Sequence, residues 1–312
     1  MAAVNRPMTR LEARLRSAER ALFAHCGVEP SEHLVHAGSA ADAPRLRVLA
    51  FGAGAPVVCL HAASWFGAHW APLCAQLAGR RLYCVDMPGH GLSDAVDYPD
   101  RELRAFQVRL FTSLLAGLGL RHVSVVGNSL GGMTALWLAL DAGDLVSQVV
   151  ILGVPATSLP GARPDLLLSL LSVRGLNRLL LALPATVTTS RLSMRAALGA
   201  HSVARVPPEL FTIHSLARRR PEFARTIASW MPATHAWRHA RSGVVLTDGE
   251  LATLRQPVHF VWGDHDAFGG PEIARRAAAL IPRASVEILR CGHHPQLSDP
   301  SACARAIAPV LP

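Results

Sequence analysis

The chain contains no lysine. Its 31 basic side chains are therefore all arginine, and its formal charge of +9 is guanidinium throughout. Half of its residues are hydrophobic, yet no uninterrupted apolar stretch reaches the roughly 18 residues that a membrane span requires. The Arg-rich N-terminus lacks the contiguous apolar core of a signal peptide. Six cysteines, at 26, 59, 74, 84, 291 and 303, show no paired spacing, which argues against a disulfide framework and for a reducing, cytoplasmic location. Cys59 and Cys84 fall within expected core strands, where a reduced thiol acts as a small hydrophobe. There is no internal repeat and no low-complexity tail. The 312 residues are enough to bury a large core.

The charge that is present is localised. Between Thr157 and Val245 lie twelve arginines and three acids, Asp165, Glu209 and Glu222. That excess equals the net charge of the whole chain, so the remainder is neutral. The same segment shows helical runs broken by prolines, with no strand-like alternation. On either side of it, short β-branched runs alternate with helical segments of ten or more residues. This pattern predicts a mostly parallel central sheet with helices on both faces. The expected organisation is an amphipathic helix within 1–30, a first part of the core over 31–156, a helical cap over 157–245 and a second part of the core over 246–312. Leu11, Leu15, Ala18 and Leu22 recur at helical spacing, so residues 8–26 are expected to dock onto the domain.

Gly127-Asn128-Ser129-Leu130-Gly131 is a G-x-S-x-G pentapeptide placed between an apolar run, His122–Val126, and a helix-forming run, Gly132–Leu140. A serine on so sharp a strand-to-helix turn has its hydroxyl raised above the sheet, and flanking glycines let strand and helix approach closely. A serine hydroxyl is a weak nucleophile without a base and a group that orients the base. Two later strand ends offer them. The run Pro257–Trp262 leads into Gly263-Asp264-His265-Asp266, and Ser285–Leu289 leads into Cys291-Gly292-His293-His294.

Together these segments resemble the α/β-hydrolase superfamily from about Arg45 to the C-terminus. Leu60-His61-Ala62-Ala63-Ser64-Trp65 is similar to the strand-end segment written H-G-x, and Asp86-Met87-Pro88-Gly89-His90-Gly91-Leu92-Ser93-Asp94 to the D-x-P-G-x-G-x-S-D loop. Trp262-Gly263-Asp264-His265-Asp266 matches W-G-x-x-D, and Cys291-Gly292-His293 supplies the G-H. The resemblance implies a Ser129–His293–Asp266 triad, with Asp264 a loop residue, His294 packed or lining the entrance, and His90 structural. It implies an oxyanion hole from the backbone N–H groups of Leu130 and Ala63. The family's glycine after the histidine is Ala62 here, which would be strained if that position needed a positive φ.

The implied activity is cofactor-free hydrolysis of an ester, thioester or lactone through an acyl-enzyme. The Leu-, Met- and Trp-rich cap points to an apolar acyl part, with Ser64, Trp65, Met194 and Trp230 as candidate substrate contacts. The elbow is also similar to that of C–C bond hydrolases, and a cyclase or acyltransferase of the same fold is the non-hydrolytic alternative. A serine nucleophile argues against epoxide hydrolysis and haloalkane dehalogenation. Three other patterns carry less. His235-x-x-x-His239 lacks a third metal ligand and reads as a solvated or packed pair, so no metal is expected. Gly52-Ala53-Gly54 is followed by a strand where a dinucleotide site needs a helix. The arginines lack the aromatic interleaving of a nucleic-acid surface and read as solvated helix faces or as a site for an anionic substrate or carrier. The expected partner is a small molecule, with no nucleic acid and no integral membrane segment.

Overall fold

The computed structural model describes residues 8–40, 42–99 and 101–312. Eight strands form one sheet: β1 (Ser31–His36), β2 (Arg45–Phe51), β3 (Ala55–Leu60), β4 (Arg80–Val85), β5 (Val123–Asn128), β6 (Val146–Leu152), β7 (Val258–Gly263) and β8 (Ala284–Leu289). Their order is β1-β2-β4-β3-β5-β6-β7-β8. β2 runs antiparallel to both β1 and β4, and every other pairing is parallel. The expected mostly parallel sheet is thus present, with the antiparallel strands confined to its first edge.

Parallel strands are buried on both faces, so their sequences run apolar without alternation. β3 shows why. Val58 and Leu60 enter one hydrophobic cluster with helices α2 (Leu103–Gly117) and α3 (Leu130–Asp141), whereas Val57 and Cys59 enter a second cluster on the opposite face. That second cluster holds Leu15, Leu22 and Phe23 of α1 (Arg10–Cys26). Thr9 caps α1 in a reciprocal box with Glu12, and Gly27 closes the helix in the left-handed conformation.

The docking of α1 has a charged core. The Arg47 guanidinium on β2 is 2% exposed and reaches Glu19 of α1 at 2.6 Å, Glu32 of β1 at 2.9 Å and Asp86, just past β4, at 3.1 Å. Asp86 also accepts the N–H of Gly67 at 2.6 Å and that of Leu92 at 2.9 Å. One buried arginine thus joins the N-terminal helix to the loop that begins at Asp86.

Between β6 and β7 the chain forms an insert of helices: α4 (Leu166–Leu171), α5 (Leu176–Leu181), α6 (Val187–Leu198), α7 (Pro208–Ala217) and α8 (Pro221–Thr234), with a short turn at Ala200–Val203. Its entry and exit are joined where Leu246 N–H donates to Ser158 O at 2.8 Å. Pro221 lies in the first turn of α8, where its missing N–H costs nothing, while Pro232 lies inside the helix rather than ending it. His235 and His239 sit in a two-residue antiparallel clasp after α8 and not on a helix. Helices α9 (Pro271–Leu280) and α10 (Pro300–Ile307) complete the sheet's two faces. Among the described residues no helix is long and apolar enough to cross a membrane, and all six cysteines are unpaired.

Candidate active site

The sheet register brings the candidate site segments to one edge. Leu60 at the end of β3 pairs with Val85 of β4 and Gly127 of β5; Asn128 pairs with Leu152, and Gly263 with Leu289. The segments after these strands therefore emerge side by side, at the carboxyl edge where open α/β sheets bind ligands.

Ser129 sits at that edge with φ 51° and ψ −112°. Such a backbone is uncommon for a residue with a side chain and is held only where its surroundings enforce it. Gly131 is one such constraint: a Cβ there would lie 2.0 Å from the carbonyl oxygen of Leu60. The N–H of Gly131 donates to His61 O at 3.1 Å, which ties the elbow to the segment after β3. Leu130 opens helix α3, so its N–H has no partner one turn back.

Asp266 and His293 meet in a buried pair. His293 Nδ1–H donates to Asp266 Oδ2 at 2.8 Å, with side-chain exposures of 3% and 0%. The carboxylate is further held by the N–H of Val154 on Oδ2 at 2.9 Å and of Phe268 on Oδ1 at 3.0 Å. Only a residue without a side chain fits beside this pair, since a Cβ at Gly153 would lie 2.9 Å from Asp266 Oδ2 and 2.5 Å from His293 O. The Phe268 ring lies 4.4 Å from the His293 ring, centre to centre. Asp264 is engaged elsewhere: Oδ1 accepts from Cys291 N–H at 3.0 Å and from the exposed His265 at 2.6 Å. Among the described residues, no hydrogen bond joins the Ser129 hydroxyl to His293. Bonds of this kind commonly tighten only once substrate is bound.

The segment after β3 is set by two neutral histidines. His61 Nδ1–H donates to Ala62 O at 2.7 Å, leaving Nε2 to accept the N–H of Met87 at 2.9 Å. His90 Nδ1–H donates to Pro88 O at 2.8 Å, leaving Nε2 to accept the N–H of Ser64 at 3.1 Å. Burial pushes His90 down to about 4 and His61 well below the usual histidine range, with the neighbouring His90 and His69 adding to the effect on His61. The left-handed residue of this segment is Ser64, φ 68°, not Ala62. The position with positive φ therefore lies two residues after Ala62, at Ser64, where the bond to His90 holds it.

Behind the elbow lies a polar network that sequence reasoning missed. Asn128 is fully buried and donates through Nδ2 to Leu152 O at 2.5 Å and His293 O at 3.0 Å. Its Oδ1 accepts from His294 Nδ1–H at 2.5 Å and from Gln296 at 3.2 Å. His294 is thus a buried partner of Asn128, with the Trp65 ring tilted against it, centres 4.8 Å apart. Burial, with the nearby His293, His69 and His214, depresses the His294 pKa strongly and keeps it neutral. An asparagine within a pentapeptide whose meaning rests on its neighbours gives no sequence signal of this role. Of the candidate substrate contacts, Met194 is buried on α6, one turn before Ala197, whose carbonyl accepts the N–H of His293 at 3.1 Å. Trp230 is also buried, with its ring edge-on to Tyr98 at 4.6 Å.

Residues 52–300 match the family described as alpha/beta hydrolase fold. The chain belongs to that family. As an α/β hydrolase it is an enzyme of the hydrolase type. It is 29% identical over 259 residues to the pimeloyl-[acyl-carrier protein] methyl ester esterase of Nitrosomonas europaea, covering 80% of this chain and 92% of that protein. It is 29% identical over 275 residues to a 2-hydroxy-6-oxononadienedioate/2-hydroxy-6-oxononatrienedioate hydrolase of Cupriavidus pinatubonensis, covering 83% and 88%. Among solved structures, the carboxylesterase CesB (YbfK) of Bacillus subtilis superposes with a TM-score of 0.75 at 20% identity over 96% of this chain and 97% of that one. The 2-hydroxy-6-oxo-6-phenylhexa-2,4-dienoate hydrolase of Rhodococcus sp. strain RHA1 does so with a TM-score of 0.73 at 23% identity over 89% and 97%. These two likenesses concern the fold.

No group of three or more His, Cys, Asp or Glu side chains among the described residues could hold a metal. His235 is instead engaged with Thr157 at 3.2 Å and Thr234 at 2.7 Å.

Proposed function

We propose that this α/β hydrolase cleaves an ester or thioester through a covalent Ser129 acyl-enzyme. The observation that carries the reading is the buried His293–Asp266 hydrogen bond beside a serine in the strained elbow conformation. A carboxylate can only accept, so Asp266 fixes the proton of His293 on Nδ1 and leaves the Nε2 lone pair to act as base. His293 takes the proton of Ser129 as the hydroxyl attacks the carbonyl carbon, and Asp266 stabilises the imidazolium. The backbone N–H groups of Leu130 and Ala63 receive the developing oxyanion, each such donor being worth ~10²–10³ in rate. His293 then protonates the leaving group, and water activated by the same imidazole releases the acid.

The insert, residues 157–245, serves as the cap over this edge, with core segments 31–156 and 246–312 beneath it. Met194, near the His293 loop, and Trp65, against His294, line an apolar acyl site; Ser64 and Trp230 complete the set of contacts. Unpaired cysteines fit a reducing compartment. A C–C bond hydrolase is the second reading, favoured by similarity to the Cupriavidus hydrolase. Against it, Ala62-Ala63-Ser64-Trp65 lacks a glycine-rich oxyanion segment.

Labelling with a fluorophosphonate, followed by p-nitrophenyl esters of rising chain length, tests this. Labelling that is lost in Ser129→Ala, with turnover of the longer esters, is the expected result. Equal labelling of Ser129→Ala would overturn the serine mechanism. Labelling with every ester inert, and turnover of a vinylogous diketone acid, would transfer the assignment to C–C cleavage.

A further inference from the structure

The outer side of the insert carries the greatest density of exposed apolar side chains on the molecule. Of ten large hydrophobic residues exposed among those described, seven fall between Leu166 and Leu192. Leu166, Leu179, Leu183 and Leu192 are each 64–70% exposed. Single exposed leucines need no explanation, but a cluster on consecutive helices marks a surface that meets something.

The same stretch is strongly basic. Arg163, Arg174, Arg178, Arg191 and Arg195 are all exposed, and the single acid between them, Asp165, has its carboxylate engaged at the start of α4, accepting Leu168 N–H at 2.7 Å. A cleft of about 410 Å³ opens between α5 and α8, with Arg174, Arg178 and Arg225 on its walls beside Leu181 and Ala182. Asp97 also lines it, paired with Arg225.

We propose that the outer face of residues 163–195 docks this protein on an anionic lipid surface. Exposed leucines interspersed with arginines along short helices and their links are the composition of an interfacial segment: the apolar side chains enter the acyl boundary while guanidinium groups pair with lipid phosphates. A second copy of the chain fits poorly, because two such faces would bring like charges together as the leucines met. An acidic protein would satisfy the arginines, but the exposed leucines are spread over α4, α5, the link after α5 and α6, and a bilayer receives them without a matching pocket. The cleft between α5 and α8 has room for a phosphate-bearing headgroup. This inference is independent of the catalytic reading, because vesicle binding is read without turnover.

The test is sedimentation of the full chain with vesicles of phosphatidylcholine alone or of phosphatidylcholine with phosphatidylglycerol, at low and high salt. Binding is expected only to the anionic vesicles, and to weaken with salt. The variant Leu179→Ser/Leu183→Ser/Leu192→Ser and the variant Arg178→Gln/Arg195→Gln, each confirmed as folded by circular dichroism, should each bind about tenfold more weakly. Ser129→Ala should bind as the parent does. Failure to sediment with anionic vesicles at low salt would overturn the proposal, as would binding that neither variant weakens. A dimer in sedimentation velocity that the leucine variant dissociates, without vesicle binding, would assign the face to self-association. Capture of an acidic carrier protein with no vesicle binding would assign it to a protein partner.

Discussion

The backbone N–H of His293 donates to the carbonyl of Ala197 across 3.1 Å, so the loop that carries the imidazole is fastened to a helix of the insert. The residue before it enforces the contact: a Cβ at Gly292 would lie 2.7 Å from Ala197 O and 3.0 Å from Leu198 O. Movement of α6 is therefore transmitted to His293.

Gly292→Ala should accordingly reduce turnover while leaving the fold in place. A loss of about 10²-fold in kcat is expected from an imidazole displaced by a fraction of an ångström. Rates of fluorophosphonate labelling, compared with the unfolding midpoint, separate this from general destabilisation. A variant with unchanged labelling would show that the contact does not position the base.

The two aspartates of the β7 loop should differ sharply. Asp266→Asn leaves the geometry of the pair but loses the tautomer that Asp266 imposes, and a fall of ~10⁴ in kcat is expected. Asp264→Asn disturbs only the loop bonds to Cys291 and His265 and should retain most activity. Steady-state kinetics on one ester decide it, and comparable losses would exclude the Asp266 assignment.

Asn128→Ala removes four hydrogen bonds at once and leaves the carbonyls of Leu152 and His293, along with His294 and Gln296, short of a buried partner. The expected cost is on the order of 3 kcal/mol, measured by urea denaturation. A stability within experimental scatter of the parent would mean that water fills the site.

Arg47→Met leaves Glu19 and Asp86 buried with no cation between them. Removal of one member of such a cluster costs about 3–5 kcal/mol. Pairing that change with Glu19→Gln should recover part of the loss, because one of the uncompensated carboxylates is then gone. A double-mutant cycle in urea measures the coupling.

Acid should unfold the protein from an early pH. Burial holds His69 and His214 at about 3 and His90 and His235 at about 4, so the folded chain keeps them neutral where the unfolded chain protonates near 6.5. Their contribution is complete above pH 6.5 and is lost as the pH falls from there toward 3–4, since the unfolded state then binds more protons. Each histidine weakens the fold by about 1.4 kcal/mol per pH unit across that window. A urea midpoint that stays constant between pH 7 and 5 would contradict this.

The placement of Ser129, Asp266 and His293 just past strand ends was readable in the sequence. Ser129 and Asp266 each follow a strand whose apolar run marks it as buried, His293 follows the half-exposed edge strand Ala284–Leu289, and the parallel register brings the strand ends together. What was not readable depends on side chains meeting across the fold. Asn128 and His294 are 166 residues apart in sequence, and no local pattern announces their bond. The left-handed residue after β3 is set at Ser64 by His90 from another loop, a contact that no local pattern shows. Nor does any local pattern show that β3 is followed by a 3₁₀ turn at Gly67–Trp70 and a single helical turn at Ala71–Cys74. Gly67 has no room for a Cβ beside Cys84 O and Asp86 Oδ1, at 2.7 and 3.1 Å, and that packing draws the helical start toward Asp86.

The part of the chain that matches the family begins at residue 52, after α1, β1 and Arg47. A shortened clone cut at that boundary would keep Asp86 at the foot of the Pro88-Gly89 loop but discard Arg47, its arginine partner. Such a fragment is a poor choice for expression or crystallisation: the missing guanidinium would be felt at the segment after β3, through the Gly67 amide that the same carboxylate holds.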